Sequence, residues 1–111
     1  NTLERALAQF AELRDAYPGT ATAWTADESI ARALLRLGRN DEAVAKLAAL
    51  PDQYPRDPRN PLALLQAAGI AAERLHDRQR AAELLDQLSG RYPRSPLAEK
   101  AKQEAVRMRG Q

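Results

Sequence analysis

The chain has no cysteine, few β-branched residues and no long hydrophobic run, and each absence excludes a class of protein. Without cysteine it forms no disulfide framework and no thiolate metal site. Alanine and leucine dominate while Val, Ile and Thr are scarce, which favours closely packed helices over sheets. The longest mostly apolar run, 62–72, is too short to cross a bilayer and predicts no membrane insertion.

Charge of neither sign dominates. The 111 residues include 17 Lys and Arg against 15 Asp and Glu, a net charge of +2. So small an excess predicts no nucleic-acid or membrane-surface partner. The length predicts one domain, 1–111. Because the chain opens at Asn1 without an initiator methionine, we expect this domain to be the C-terminal part of a longer protein.

The dipeptide Tyr-Pro occurs three times, beginning at Tyr17, Tyr54 and Tyr92. Aligning the chain on these prolines brings one small and two large apolar residues of each preceding segment into register at helical spacing. The aligned residues are Ala6, Phe10 and Leu13, then Ala43, Leu47 and Leu50, then Ala81, Leu85 and Leu88. This repeat predicts a helical hairpin as the structural unit and the three tyrosines as joints between hairpins.

Start and stop signals predict an all-α fold of six helices. Residues suited to N-capping precede five of them: Thr20, Asn40, Asn60, Asp77 and Ser95. The helices are expected at about 3–16, 21–37, 41–53, 61–75, 78–90 and 96–109.

Three residues predict local departures from regular helix. Gly38 and His76 fall where a helix ends, so we expect a left-handed backbone conformation there. Pro51 lies inside the third helix, where its ring crowds the carbonyl of Leu47, and we expect a kink or an early end.

The hairpin that contains Gly38, Ala43, Leu47 and Pro55 at this spacing resembles the tetratricopeptide repeat, and the resemblance covers nearly the whole chain. It implies a right-handed α-solenoid of about three hairpins. The period exceeds the usual 34 residues. The Trp and Tyr that the family usually has in the first helix are replaced, in successive repeats, by Asp27 and Leu34 and by Leu65 and Ala72.

The closing segment YPRSPLAEKAKQEAVRMR is similar to the bacterial cell-envelope branch of this family, which includes the periplasmic Tol-Pal coordinator proteins and outer-membrane assembly lipoproteins. This similarity implies a periplasmic or cell-envelope location, with the cytoplasm as the alternative.

The first helices of tetratricopeptide hairpins line a concave groove, so the resemblance also implies a partner-binding groove. Its residues are Thr25, Glu28, Arg32, Leu35 and Arg36, followed in the next repeat by Gln66, Ile70, Glu73 and Arg74. The three arginines would hold an acidic peptide through forked hydrogen bonds. The alternative is a solvated charged face with local pairs such as Glu28 with Arg32.

No catalytic, cofactor or metal site is predicted. His76, the single histidine, has no acidic residue or cysteine at ligand spacing. The serines show no nucleophile motif, and no phosphate-binding glycine loop is present. Trp24 is expected in the core, with a partner anchor as the alternative.

These observations predict a non-catalytic scaffold that binds a peptide or partner protein in the groove. The alternative is a homodimer formed by the first helix, 3–16, whose outer apolar residues lack a neighbouring helix. RNA binding by helical repeats is a third class, disfavoured because it requires a strongly basic groove.

Overall fold

The computed structural model describes residues 1–110, which contain six α-helices and no strand. The helices are α1 (Thr2–Ala16), α2 (Ala21–Arg36), α3 (Asn40–Gln53), α4 (Asn60–Glu73), α5 (Arg78–Arg91) and α6 (Ala98–Arg109). The all-α prediction is confirmed, and every helix ends within two residues of its expected position. Within residues 1–110, none of the helices has the length and apolar composition that a membrane span requires.

The helices divide into two compact units. The first unit, Asn1–Asp57, contains α1, α2 and α3, and the second begins at Pro58 and contains α4, α5 and α6. In each unit the middle helix packs against both of its neighbours, so α2 contacts α1 and α3 while α5 contacts α4 and α6.

The core of the first unit forms around α2. Ile30 and Leu34 of this helix are buried, and Leu7 and Phe10 of α1 pack against them. Trp24 is only 5% exposed, which confirms its predicted place in the core. α1 itself has no fully buried residue, because it covers α2 on one side only.

The core of the second unit depends on small residues where helices approach closely. Fully buried alanines occur in all three helices, and large buried leucines fill the space between them. The buried alanines are Ala63, Ala67, Ala68, Ala71, Ala81, Ala82, Ala98, Ala101 and Ala105. Of these alanines, Ala81 was expected at a helix crossing from the aligned repeats.

Two of the predicted N-caps are confirmed. The Thr20 hydroxyl accepts a hydrogen bond from the Ala23 amide at 3.2 Å, at the start of α2. The Asp77 carboxylate accepts one from the Arg80 amide at 2.9 Å, at the start of α5. Each oxygen satisfies an amide that has no partner inside the helix.

The other three N-cap predictions are wrong. Asn40 and Asn60 are the first helical residues of α3 and α4, and the residues before them, Arg39 and Arg59, make no side-chain hydrogen bond that caps the helix. Ser95 accepts from the Leu97 amide at 3.1 Å, but this bond belongs to the turn before Ala98, where α6 begins. The helices thus begin one residue early or two residues late relative to the cap signal.

The two helix ends predicted to be left-handed are confirmed, with φ of +78° at Gly38 and +53° at His76. The early end expected at Pro51 is wrong. The Tyr54 amide donates to the Leu50 carbonyl at 2.8 Å, so α3 continues to Gln53. The ring of Pro51 is fully buried, and this apolar contact offsets the single missing amide donor.

Candidate functional site

The second unit contains an open groove between α4 and α6, and α5 forms its floor. The groove has a volume of about 530 Å³, within the usual range for ligand pockets. Its lining residues are Leu65, Ala68, Gly69, Ala72 and Glu73 of α4, Arg78 and Leu85 of α5, and Lys100, Glu104, Arg107 and Met108 of α6.

The wall formed by α4 is apolar until its last residue. Leu65, Ala68 and Ala72 present only hydrocarbon, and Glu73 ends the helix. Gly69, between them, has no side chain at all. A Cβ atom placed there would meet only the Glu73 Oε1 atom within 4 Å, at an ordinary contact distance of 3.9 Å. The glycine therefore leaves the middle of the groove open.

The wall formed by α6 is mostly charged, and it repeats the helical positions of the α4 wall. Its lining residues follow their α4 counterparts by 35 residues in each case: Leu65 and Lys100, Gly69 and Glu104, Ala72 and Arg107, Glu73 and Met108. Short connections join α4 to α5 and α5 to α6, so α4 and α6 run in the same direction. One wall thus offers apolar surface and the other offers charge.

Most charges of the groove already have partners. The Arg78 guanidinium donates to the carbonyls of Arg107, at 3.1 Å, and Met108, at 3.2 Å, which are among the unpaired carbonyls at the end of α6. The Arg107 guanidinium forms an ion pair with Glu104. Lys100 and Glu73, both exposed, make no hydrogen bond or ion pair with any residue in 1–110. One cation and one anion therefore remain available to a ligand.

The sequence predicts four groove residues in the repeat that contains α4: Gln66, Ile70, Glu73 and Arg74. Of these, Glu73 lines the groove between α4 and α6. Gln66 and Arg74 are exposed and Ile70 is half-buried, and all three lie one position away from lining residues on α4. The α6 wall was missed by the sequence reasoning. The sequence signal for this wall is the repeated proline, since Pro96 in the turn before α6 follows Pro61 at the start of α4 by 35 residues.

The five residues predicted from the preceding repeat all lie on α2, in the first unit. Thr25, Arg32 and Arg36 are exposed, and Leu35 is half-buried against the core of the first unit. Glu28 is buried and accepts a hydrogen bond from the Arg32 Nε atom at 2.7 Å. The local Glu28–Arg32 pair is therefore present, and it occupies one of the three arginines that were expected to hold a ligand.

A buried polar cluster joins the three helices of the first unit. Asp27 of α2 is 2% exposed, and its Oδ2 atom accepts from the Tyr54 hydroxyl at 2.6 Å. Its Oδ1 atom lies 3.2 Å from the guanidinium of Arg14 in α1 and 3.1 Å from the ammonium of Lys46 in α3. We call these four residues the Asp27 cluster. The three side chains that bond to the carboxylate come from α1, from α3 and from the residue directly after α3. The cluster therefore holds α1 and α3 in place against α2.

The hydrogen bonds determine how the Asp27 cluster titrates. Burial by itself raises the pKa of Asp27, but the hydrogen bonds from Tyr54, Lys46 and Arg14 outweigh it and the pKa lies below its usual range. Burial and the bond to a carboxylate together raise the pKa of Tyr54 well above its usual range. Asp27 is thus ionised and Tyr54 neutral near pH 7.

The Tyr-Pro tyrosines have different environments. Tyr54 is buried and its hydroxyl bonds to Asp27 within the first unit, and its role as a joint between hairpins stays a prediction. Tyr17 is 54% exposed, so the prediction that it packs as a joint residue is wrong. It remains exposed because α1 has a neighbouring helix on one side only. Tyr92 is half-buried, and the Arg91 guanidinium lies 5.9 Å from its ring centroid.

Comparison with known proteins identifies one family. The tetratricopeptide repeat matches residues 29–57 and 62–95, which together make up more than half of the chain. The first match runs from α2 through α3, and the second covers α4 and α5. No curated protein matches the chain. Within residues 1–110, no group of three or more acidic or histidine side chains is arranged to hold a metal ion.

Proposed function

The chain belongs to the tetratricopeptide-repeat family, whose repeats generally mediate protein–protein interaction, and we propose that it binds a segment of a partner protein in the groove between α4 and α6. The observation that carries this proposal is the chemistry of the two walls. An apolar wall supplies affinity through burial of hydrocarbon, and a charged wall orients the bound segment. No step of covalent chemistry is involved.

The helices that form the groove are supported from below. α4 and α6 both pack on α5, and the Arg78 guanidinium ties α5 to the last carbonyls of α6. A groove that is already formed loses little conformational entropy when a ligand enters it. These contacts support rigid presentation of the binding surface as the mechanism.

The test is a peptide selection followed by a blocking substitution. Random peptides of about 16 residues are selected on the immobilised 111-residue chain, and the affinities of those recovered are measured by fluorescence anisotropy. Gly69→Met places a side chain in the open middle of the groove. Because this removes the space for an apolar anchor, we expect affinity to fall by about tenfold or more.

The matched control is Gly90→Met. Gly90 also lies in a helix, and a Cβ atom there would have no neighbour within 4 Å, so the substitution changes helix propensity without filling the groove. We expect it to leave peptide affinity within about twofold. Failure to recover any peptide, or equal affinity for the Gly69→Met protein, would contradict binding in this groove.

Self-association is a second candidate because two exposed apolar residues lie at the end of α1. Leu13 of α1 is 41% exposed, and Tyr17, the residue directly after the helix, is 54% exposed. Sedimentation equilibrium over a hundredfold range of concentration tests it. A dimer that Leu13→Glu dissociates supports the candidate, and a monomer at every concentration excludes it.

A cell-envelope location is a further proposal, which rests on the closing segment that resembles the periplasmic members of the family. Subcellular fractionation of the source organism, with an antibody against this chain, measures it directly. Recovery in the periplasmic fraction is the expected result, and recovery in the cytoplasmic fraction would contradict it.

A further inference from the structure

The two charges of the groove that have no partner lie at opposite ends of it. Lys100 has the same helical position in α6 as Leu65 has in α4, and Glu73 lies eight residues beyond Leu65. Since α4 and α6 run in the same direction, the backbone positions of Lys100 and Glu73 are separated along the groove by two helical turns, about 12 Å. The Glu73 side chain folds back, so that its Oε1 atom lies 3.9 Å from the Cβ position of residue 69. A ligand that carries an acidic group and a basic group at the backbone separation meets both charges when the exposed Glu73 side chain extends along the groove.

The midpoint between these charges is the open position. Gly69 lies four residues after Leu65 and four before Glu73 on α4. The α4 wall and the floor beside it are apolar, at Ala72 and Leu85, and the Glu104–Arg107 ion pair lies on the opposite wall at this level. A large apolar side chain of a ligand therefore has space at this level, and burying it contributes most of the binding free energy.

The walls also restrict the backbone conformation of the ligand. Amides and carbonyls inside α4 and α6 are bonded within their own helices, so the walls offer side chains rather than free backbone groups. An extended ligand would lose hydrogen bonds to water without replacing them, which is unfavourable. A helical ligand satisfies its own backbone, and its four-residue step of about 6 Å matches the spacing from Leu65 to Gly69 to Glu73.

We propose that the groove binds an amphipathic helix of a partner protein that carries an acidic residue, a large apolar residue and a basic residue at successive four-residue steps. The carboxylate pairs with Lys100, the apolar side chain rests on Gly69, and the cation pairs with Glu73. This inference rests on the proposed function and specifies the ligand chemistry of the same groove.

The occupant is a different protein rather than another copy of this chain. Nowhere do the 111 residues place an acidic, a large apolar and a basic residue at successive four-residue steps, in either direction. The segment Lys46, Leu50, Tyr54 comes close but has no acidic member. The charges of the groove are therefore complementary to a sequence that this chain does not contain.

The experiment combines the random selection with a charge reversal. We expect the recovered peptides to be enriched in the acidic, apolar and basic pattern at four-residue steps. A synthetic peptide with this pattern on an alanine and glutamine background should bind the 111-residue chain, and replacing its apolar residue by alanine should weaken binding about tenfold or more.

Lys100→Glu should weaken binding of this peptide about fivefold, because it replaces an attraction by a repulsion. A second peptide, with lysine in place of the acidic residue, should restore the lost affinity on the Lys100→Glu protein. Lys102→Glu is the matched control. Lys102 is also an exposed lysine of α6, but it does not line the groove, so its reversal should leave affinity unchanged.

The outcomes separate the two proposals. If peptides bind and Gly69→Met blocks them, but they lack the pattern or respond equally to Lys100→Glu and Lys102→Glu, the ligand assignment is wrong and the groove function stands. If no recovered peptide depends on the groove, the proposed function fails and the ligand assignment fails with it.

Discussion

The helices α2 and α4 are the first helices of the two complete hairpins, and they differ at one matched position. The residue at this position is a buried carboxylate in the first unit and an apolar groove residue in the second. In the first unit that residue is Asp27, a buried carboxylate held by side chains from α1 and α3. In the second unit the residue 38 positions later is Leu65, which lines an open groove. The tyrosine of the following joint is present in both, as Tyr54 and Tyr92, but only Tyr54 has a carboxylate to bind.

A second matched position changes in the same way. Lys46, which contacts Asp27, is replaced 38 residues later by the buried Leu84. At these two matched positions the first unit therefore joins its helices through charge and hydrogen bonds, while the second unit has hydrocarbon. The Tyr-Pro dipeptide marks where the second helix of each hairpin ends. The residues that face the tyrosine decide whether its hydroxyl forms a buried hydrogen bond.

The largest expected effect comes from removing the carboxylate. Asp27→Ala should lower the free energy of unfolding by about 3 kcal/mol, because the Tyr54 hydroxyl and two cations lose their buried partner. Leu65→Ala, at the matched and half-buried position, should lower it by about 1 kcal/mol. Urea unfolding followed by circular dichroism measures both, and equal losses would remove the distinction between the units.

The stability that Asp27 contributes should depend on pH. Because the folded pKa of Asp27 is below its usual range, its contribution is complete above the unfolded pKa, about 4, and declines as pH falls through the folded value. The difference in unfolding free energy between wild type and Asp27→Asn should therefore be constant from pH 7 to about 4.5 and shrink below about 4. Asp41→Asn, at an exposed site where the carboxylate has no ion pair with any residue in 1–110, serves as the control. A difference that shrinks already between pH 7 and 5 would mean that the pKa is raised instead.

The two tyrosines allow a smaller and cleaner comparison. Tyr54→Phe deletes a buried hydroxyl that donates to a carboxylate and should lower the free energy of unfolding by about 2 kcal/mol. The Tyr92 hydroxyl has no hydrogen-bond partner among residues 1–110, so Tyr92→Phe should change it by less than about 0.5 kcal/mol. Thermal unfolding measures the free-energy change for both variants. A larger loss of stability from Tyr92→Phe than from Tyr54→Phe would contradict the view that only the Tyr54 hydroxyl forms a stabilising hydrogen bond.

The smallest effect concerns the matched turns. Gly38 and His76 both have positive φ, but only histidine has a Cβ atom that this conformation crowds. Gly38→His should therefore lower the free energy of unfolding by about 1 kcal/mol, and His76→Gly should raise it by about 0.5 kcal/mol. Chemical denaturation measures both, and two changes of the same sign would show that the turns are not equivalent.

Blocking the groove extends the comparison from stability to binding. Gly69→Met and Gly90→Met should both leave the helices intact, and only the first should weaken the binding of selected peptides. If both substitutions weaken binding equally, the effect arises from α5 or from global destabilisation, and binding in the groove of the second unit is contradicted.

The amino-acid sequence by itself determined the all-α class, the six helices and the two left-handed turns at Gly38 and His76. These features depend on residues within one or two helical turns, so periodicity and turn chemistry predict them. Even here the cap signals at Asn40 and Asn60 placed the helix starts one residue too late. A side chain that is suited to capping and lies near a helix start does not have to point at the free amides of that helix.

Only the tertiary structure decided which side chains meet. Asp27 finds Arg14, Lys46 and Tyr54 because three helices cross around it, and no spacing along the chain indicates that meeting. Of the four groove residues predicted from the second repeat, Glu73 lines the groove between α4 and α6, the other three lie one position from residues that line it, and the α6 wall was not predicted. A shift of one residue rotates a side chain by about 100° around the helix, so the face that a groove uses depends on how neighbouring helices pack.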